Sequence, residues 1–94
     1  MGERIIVPDD GRINFKTISE FKWCINDGGE VEFVWNNKTY GITRDEKGVI
    51  GIYEAYKPET EKLCKDVDEV LEYIIDGMRL RNIVTKVKVV MRTI

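Results

Sequence analysis

Covalent catalysis most often runs on histidine, serine and cysteine, and this chain offers few of them: no histidine, one serine (Ser19), and Cys24 and Cys64. Without an imidazole, neither a Ser/His nor a Cys/His nucleophile pair can be assembled. The two cysteines stand forty positions apart with no CxxC pair, so a Cys/His zinc site lacks its ligand set. They read as reduced, buried thiols that behave as small hydrophobes. Carboxylates are plentiful, and Asp66 with Glu69, or Asp68 with Glu72, have the one-turn spacing that a general acid/base pair or a divalent-cation site would use. The same spacing serves helix capping and a wet helix face, and these carboxylates are expected to do that. Gly28-Gly29, Gly48 and Gly51 match no phosphate-cradling loop such as GxxxxGK[ST]. No enzymatic activity, cofactor or metal is expected.

Binding chemistry is better represented. All seventeen acids lie at or before Asp76, whereas the segment from Gly77 to Ile94 carries Arg79, Arg81, Lys86, Lys88 and Arg92 and no acid. Ten Lys and Arg against seventeen acids give −7 for residues 1–76, the tail is +5, and the whole is −2. A basic tail can neutralise phosphates while Trp35 or Tyr40 stacks on bases. It can equally pair within the fold with acidic strands such as Glu30-Val31-Glu32. The sequence pI of 5.2 weighs against nucleic acid. A protein partner is therefore expected, steered by acids at Asp45 and Glu46 or along Glu59 to Glu72, where Asp68, Glu69 and Glu72 share a wet helix face. Trp23 is the candidate apolar anchor, because exposed tryptophan is enriched at interface hot spots.

The elements that must position these residues follow from local pattern. Arg4 to Val7 reads as a short edge strand or arm, stopped by Pro8-Asp9-Asp10-Gly11. Thr17-Ile18-Ser19-Glu20 is a capping box that starts a helix at Ile18. Ile18, Phe21 and Ile25 form its stripe with Cys24 at the border, Trp23 lies off the stripe, and Gly28-Gly29 supplies the exit. Val31, Phe33 and Trp35 alternate with Glu30, Glu32 and Val34, and Asn36-Asn37 then turns the chain into a return strand over Lys38 to Arg44. Asp45 to Gly48 makes a second turn and Val49 to Tyr56 a third strand, closed by Pro58. Glu61 to Lys65 fits either a fourth short strand or a helical turn. Asp66 caps a second helix, in which Val67, Val70, Leu71 and Ile74 share a face and Gly77 is the stop. Arg79 to Ile83 fits one helical turn with Leu80 and Ile83 inward. The chain ends in a strand with Val87, Val89 and Met91 on the core side and Lys86, Lys88 and Arg92 outside.

The order helix, meander, helix, strand predicts a single α+β domain over residues 1–94. Its antiparallel sheet has three to four strands, the meander plus the C-terminal strand, with two helices on one face. An unpaired sheet edge leaves a symmetric homodimer open. Nothing approaches the roughly 20 apolar residues of a membrane span. The start, Met1-Gly2-Glu3-Arg4, does not read as a secretory signal, so a cytoplasmic location is expected.

The run Ile75 to Ile83 (IDGMRLRNI), the ending Arg92-Thr93-Ile94, and the hairpin Val31 to Thr43 resemble small uncharacterised proteins of Gram-positive bacteria and their phages and mobile elements. Such proteins carry no established site residues to transfer. The resemblance implies a setting in which small proteins inhibit a host defence or nucleic-acid enzyme, of the anti-CRISPR or anti-defence kind. An immunity or regulatory protein with a cellular partner is the alternative, and a weak nucleic-acid binder acting through the basic tail is a third.

Overall fold

A computed structural model describes residues 13–93, so the expected strand Arg4 to Val7 lies outside the described residues. Helix α1 (Ile18–Asn26) starts where the capping box places it: the Thr17 Oγ1 accepts the Glu20 N–H at 3.0 Å. The Glu20 carboxylate reaches back one residue further than the motif requires, to the Lys16 N–H at 2.8 Å. The helix closes as a Schellman motif, the Gly28 N–H donating to the Ile25 carbonyl and the Gly29 N–H to the Cys24 carbonyl. Phe21, Cys24 and Ile25 are buried, so the stripe is as expected, with Cys24 inside it.

The alternating segment forms β1 (Val31–Trp35) and β2 (Lys38–Arg44), joined by Asn36 and Asn37 at φ 52° and 64°. These are the two left-handed positions of a type I′ hairpin turn. β3 (Ile50–Glu54) and β4 (Lys57–Cys64) extend the meander, and β7 (Lys88–Arg92) adds to the free side of β1. The sheet is antiparallel throughout, in the order β4-β3-β2-β1-β7. Register places Val31, Ile42 and Ile52 side by side, with Ile50 beside Cys64 and Phe33 beside Val89, all on one face. They share a core with Phe21 and Ile25 of α1, Val67 and Val70 of α2 (Val67–Val70), and Leu80 and Ile83 of α3 (Leu80–Ile83). Fully burying each such side chain contributes about 1.5–3 kcal/mol. The fold is α+β with its helices on one face, as the pattern predicts, and the sheet has five strands.

Three local expectations are corrected. Pro58 does not close the meander but lies in β4, and Glu61 to Cys64 is strand. β4 is an edge strand paired only with β3, so the missing proline N–H interrupts no inner ladder. The second helix stops after one turn. Asp76 and Gly77, at φ 51° and 81°, form a two-residue turn between β5 (Ile74–Ile75) and β6 (Met78–Arg79). Asp-Gly is a strong hairpin signal, and both residues accept left-handed backbone at little cost. Ile74, expected on the helical core face, is consequently 56% exposed.

The third correction concerns the tail. Glu32 pairs with Met91 and Phe33 with Val89, which leaves Val90 as an extra residue opposite no partner. This bulge reverses the alternation beyond it. Val87 and Val89 are buried as expected, but Met91 turns to the open face beside Glu32, and Arg92, opposite Val31, turns inward. There the Arg92 guanidinium lies 4.4 Å from the Phe15 ring centroid, 3.1 Å from Glu20 Oε2 and 3.2 Å from the Ile13 carbonyl.

Both edges of the sheet carry a side chain on their backbone. Asn14 Oδ1 accepts the Val89 N–H at 2.8 Å on β7, and the Tyr73 hydroxyl donates to the Thr60 carbonyl at 3.0 Å on β4. With Pro58 and four charged residues on β4, these bonds blunt edge-to-edge pairing.

Candidate functional site

The acids singled out from the sequence are largely engaged within the fold. Asp45 accepts the N–H groups of Lys47 and Val49 at 2.8 and 2.9 Å and so holds its own turn, with Glu46 exposed at the tip. Asp68 is 3.1 Å from Lys22, and Glu69 accepts the Lys65 N–H at 2.8 Å. Glu72 lies between two arginines of the tail, 3.0 Å from Arg79 Nε and 2.8 Å from Arg81 Nε. One acidic candidate thus meets two basic ones. Arg92 pairs inward with Glu20, Lys88 also has an interaction within the chain, and Lys86 is exposed. Arg79, Arg81, Lys86, Lys88 and Arg92 therefore do not form one continuous basic row. Trp23 stands out from α1 at 58% exposure.

Burial pushes the Cys24 and Cys64 thiols above their ordinary range, which keeps them protonated and poorly nucleophilic near neutral pH. Among the described residues, no group of three or more His, Cys, Asp or Glu could hold a metal ion. No helix among them is long and apolar enough to cross a membrane.

Helices cover one face of the sheet, and the opposite face carries a feature that pattern reading did not single out. Gly41 of β2 pairs with Tyr53 of β3. A Cβ on Gly41 would stand 2.7 Å from the Tyr53 hydroxyl oxygen, so the tyrosine ring lies across the bare glycine backbone. On the next strand pair, Glu61 Oε2 occupies the space over Gly51 in the same way, 2.5 Å from where a Cβ would be. Strand glycines often mark such close approaches. Beyond Tyr53 the β3–β4 hairpin closes through Ala55 and Tyr56. Tyr56 sits at φ 66°, and the residue is exposed to 101% of its reference area.

A cavity of about 160 Å³ is lined by Glu32 of β1, by Thr39 to Gly41 of β2, and by Tyr53, Ala55 and Tyr56 of the β3–β4 hairpin. The Tyr40 ring itself packs inward, against Phe33, with centroids 5.3 Å apart. The Tyr40 hydroxyl is held above its ordinary pKa first by burial and then by the Glu54 charge. Neighbouring tips stiffen this end of the sheet. Asp76 accepts from Asn36 Nδ2 and from Lys38 Nζ, both at 3.0 Å, and these bonds hold its carboxyl below the usual range.

Trp23 and the tyrosine cavity are not parts of one surface, because α1 packs on the core side and Tyr53 projects from the other. The signal for the cavity was present in the sequence as Gly41 and Gly51 interrupting two strands and as an aromatic residue at a hairpin tip. Only the register aligns them. Compared with protein-family models, curated proteins and solved structures, the chain matches none.

Proposed function

We propose that this chain is a non-catalytic binding protein whose partner is another protein, gripped on the open face of the sheet at Tyr53 and Tyr56. The observation that carries this reading is Tyr56. Left-handed backbone is a genuine outlier for a bulky residue, and here its ring is fully exposed, so the fold gains little burial in return. Strain of this kind persists where function uses it, and tyrosine is a common hot-spot residue. The acids expected to steer the partner largely serve turns, caps and ion pairs, which moves the anchor from the acidic helix face to the tyrosines. Nucleic acid is disfavoured by the same arrangement, since Arg79 and Arg81 share Glu72 and Arg92 faces the core. In the mobile-element setting implied by the tail, the partner is a host defence or nucleic-acid enzyme, and binding inhibits it.

The test is capture of a partner from a Gram-positive host lysate by the tagged chain and by its Tyr56→Asn, Asp68→Lys and Trp23→Ala variants. Tyr56→Asn should lose the partner while the other two retain it. Retention by Tyr56→Asn would sink the assignment of the open face.

A further inference from the structure

Tyr56 is bare, yet the turn that carries it is braced. Its full exposure means that no neighbouring side chain covers it, whereas Leu63, the next most exposed of the large apolar residues described, is at 66%. The Ala55 N–H donates to the Thr39 carbonyl at 2.8 Å and pins the turn to β2. Thr60 bridges the two arms of the hairpin: its Oγ1 accepts the Glu54 N–H at 2.8 Å and donates to the Lys57 carbonyl at 2.6 Å. The Thr60 carbonyl in turn accepts the Tyr73 hydroxyl at 3.0 Å. Lys57 pairs with Glu54 at 3.1 Å, so the charges beside Tyr56 cancel and the tip presents a neutral ring. A side chain held in place before binding loses little conformational freedom on association. A flat partner would cover one face of such a ring, whereas a concave one covers both and gains the roughly 150–250 Å² that an aromatic side chain can bury. A charged pocket would find no counter-charge at this tip and would lose its hydration.

We infer that the β3–β4 tip is a preorganised knob that inserts Tyr56 into an apolar pocket of the protein partner, with Thr60 as the residue that positions it. This rests on the protein-binding reading above and names the shape and chemistry of the surface that reading leaves open. The ring faces lie against apolar walls, and the pocket floor supplies an acceptor for the hydroxyl, since a buried tyrosine O–H usually finds a partner. Removing Thr60 Oγ1 deletes both of its bonds across the turn, and the left-handed backbone at Tyr56 then relaxes.

The experiment uses β-cyclodextrin, a soluble host with an apolar cavity, as the probe. The full chain carrying Trp23→Ala, which removes a competing exposed indole, is titrated with it while the ring resonances of Tyr53 and Tyr56 are followed by NMR. The Tyr56 ring should shift saturably, and the Tyr53 ring, laid across Gly41, should not. Thr60→Val should weaken the affinity for the host about fivefold, the scale of one lost hydrogen bond, whereas Thr60→Ser, which keeps the hydroxyl, should behave as the parent. Added to the lysate capture, β-cyclodextrin should release the partner. No saturable shift at Tyr56, equal shifts at both rings, or an affinity unchanged in Thr60→Val would overturn the inference. A partner that Tyr56→Asn loses but that stays bound in saturating β-cyclodextrin would remove the knob and leave the protein-binding reading standing.

Discussion

At one end of the sheet, Asn36-Asn37 closes β1 onto β2 and Ala55-Tyr56 closes β3 onto β4, and both turns place a residue in left-handed backbone. The first uses asparagines, which tolerate that region, and ties them down, since Asp76 accepts from Asn36 and Lys38. The second uses a tyrosine that is strained and fully exposed. The same backbone problem is solved for stability at one tip and left unrelieved at the other. The contrast continues into the faces of the sheet. On the inner face even Arg92 is committed to Phe15, Glu20 and a carbonyl. On the open face, two strand positions are bare glycine beneath borrowed side chains.

The largest expected effect separates the faces. Ile52→Ala, at a fully buried inner position, should cost about 2–5 kcal/mol in chemical denaturation. Leu63→Ala, exposed on the open face beside Gly51, should stay within about 0.5 kcal/mol. Comparable losses would mean that the outer face is packed after all, and the comparison would break there. Next comes Arg92→Met, which keeps much of the packing on Phe15 but removes the guanidinium. A cost of about 2 kcal/mol is expected, below that of a fully buried pair because Glu20 is partly exposed. A neutral result would show that Phe15 and Glu20 do not need the charge between them.

Exchanging the chemistry of the tips gives a smaller and sharper effect. Tyr56→Asn should raise stability by about 1 kcal/mol, read as a rise in Tm of about 4–8 °C, while Asn37→Tyr should lower it by a similar amount. If Tyr56→Asn lowers Tm, the ring contributes packing and the strain argument fails. The smallest effect is on acid stability. Glu20 is held below its ordinary pKa first by the Lys16 N–H and then by Arg92, and Asp76 first by Asn36 and then by Lys38. A carboxyl lowered in this way stabilises the fold above its unfolded pKa, and that contribution is lost as pH falls through the folded value. Stability should therefore decline as pH drops below about 4.5, and Glu20→Gln or Asp76→Asn should flatten the decline. In the same window, NMR should register loosening of the Asn36-Asn37 tip, whereas the Tyr56 tip stays unchanged. Simultaneous loosening of both would show that the tips are coupled.

Much of the scaffold was legible because its signals are local. Thr17 and Glu20 start α1, Gly28 ends it, and Val31, Phe33 and Trp35 alternate toward an Asn-Asn turn. These depend on contacts within a few residues, so α+β order and the inner face could be read directly. The second helix was misread because Val67, Val70, Leu71 and Ile74 satisfy a helical period, although Asp76-Gly77 carried the competing hairpin signal. The site was the least legible part. Asp68, Glu69 and Glu72 have a spacing that suggests a surface, but their charges are answered by Lys22, by backbone and by two arginines that the β5–β6 turn brings back to Glu72.

Sequence alone determined the elements whose causes lie within a turn or two of chain: caps, alternation and the left-handed turn residues. Tertiary structure decided which faces those elements present. An extra residue at Val90 is invisible until β7 is laid against β1, yet it turns Arg92 from an outer charge into a core contact. Likewise, Gly41 and Tyr53 are unremarkable twelve positions apart, and only the β2–β3 register sets a ring over a bare backbone and opens a cavity beside it. Side-chain direction in a strand has a period of two, so one inserted residue or one step of register reassigns every later position.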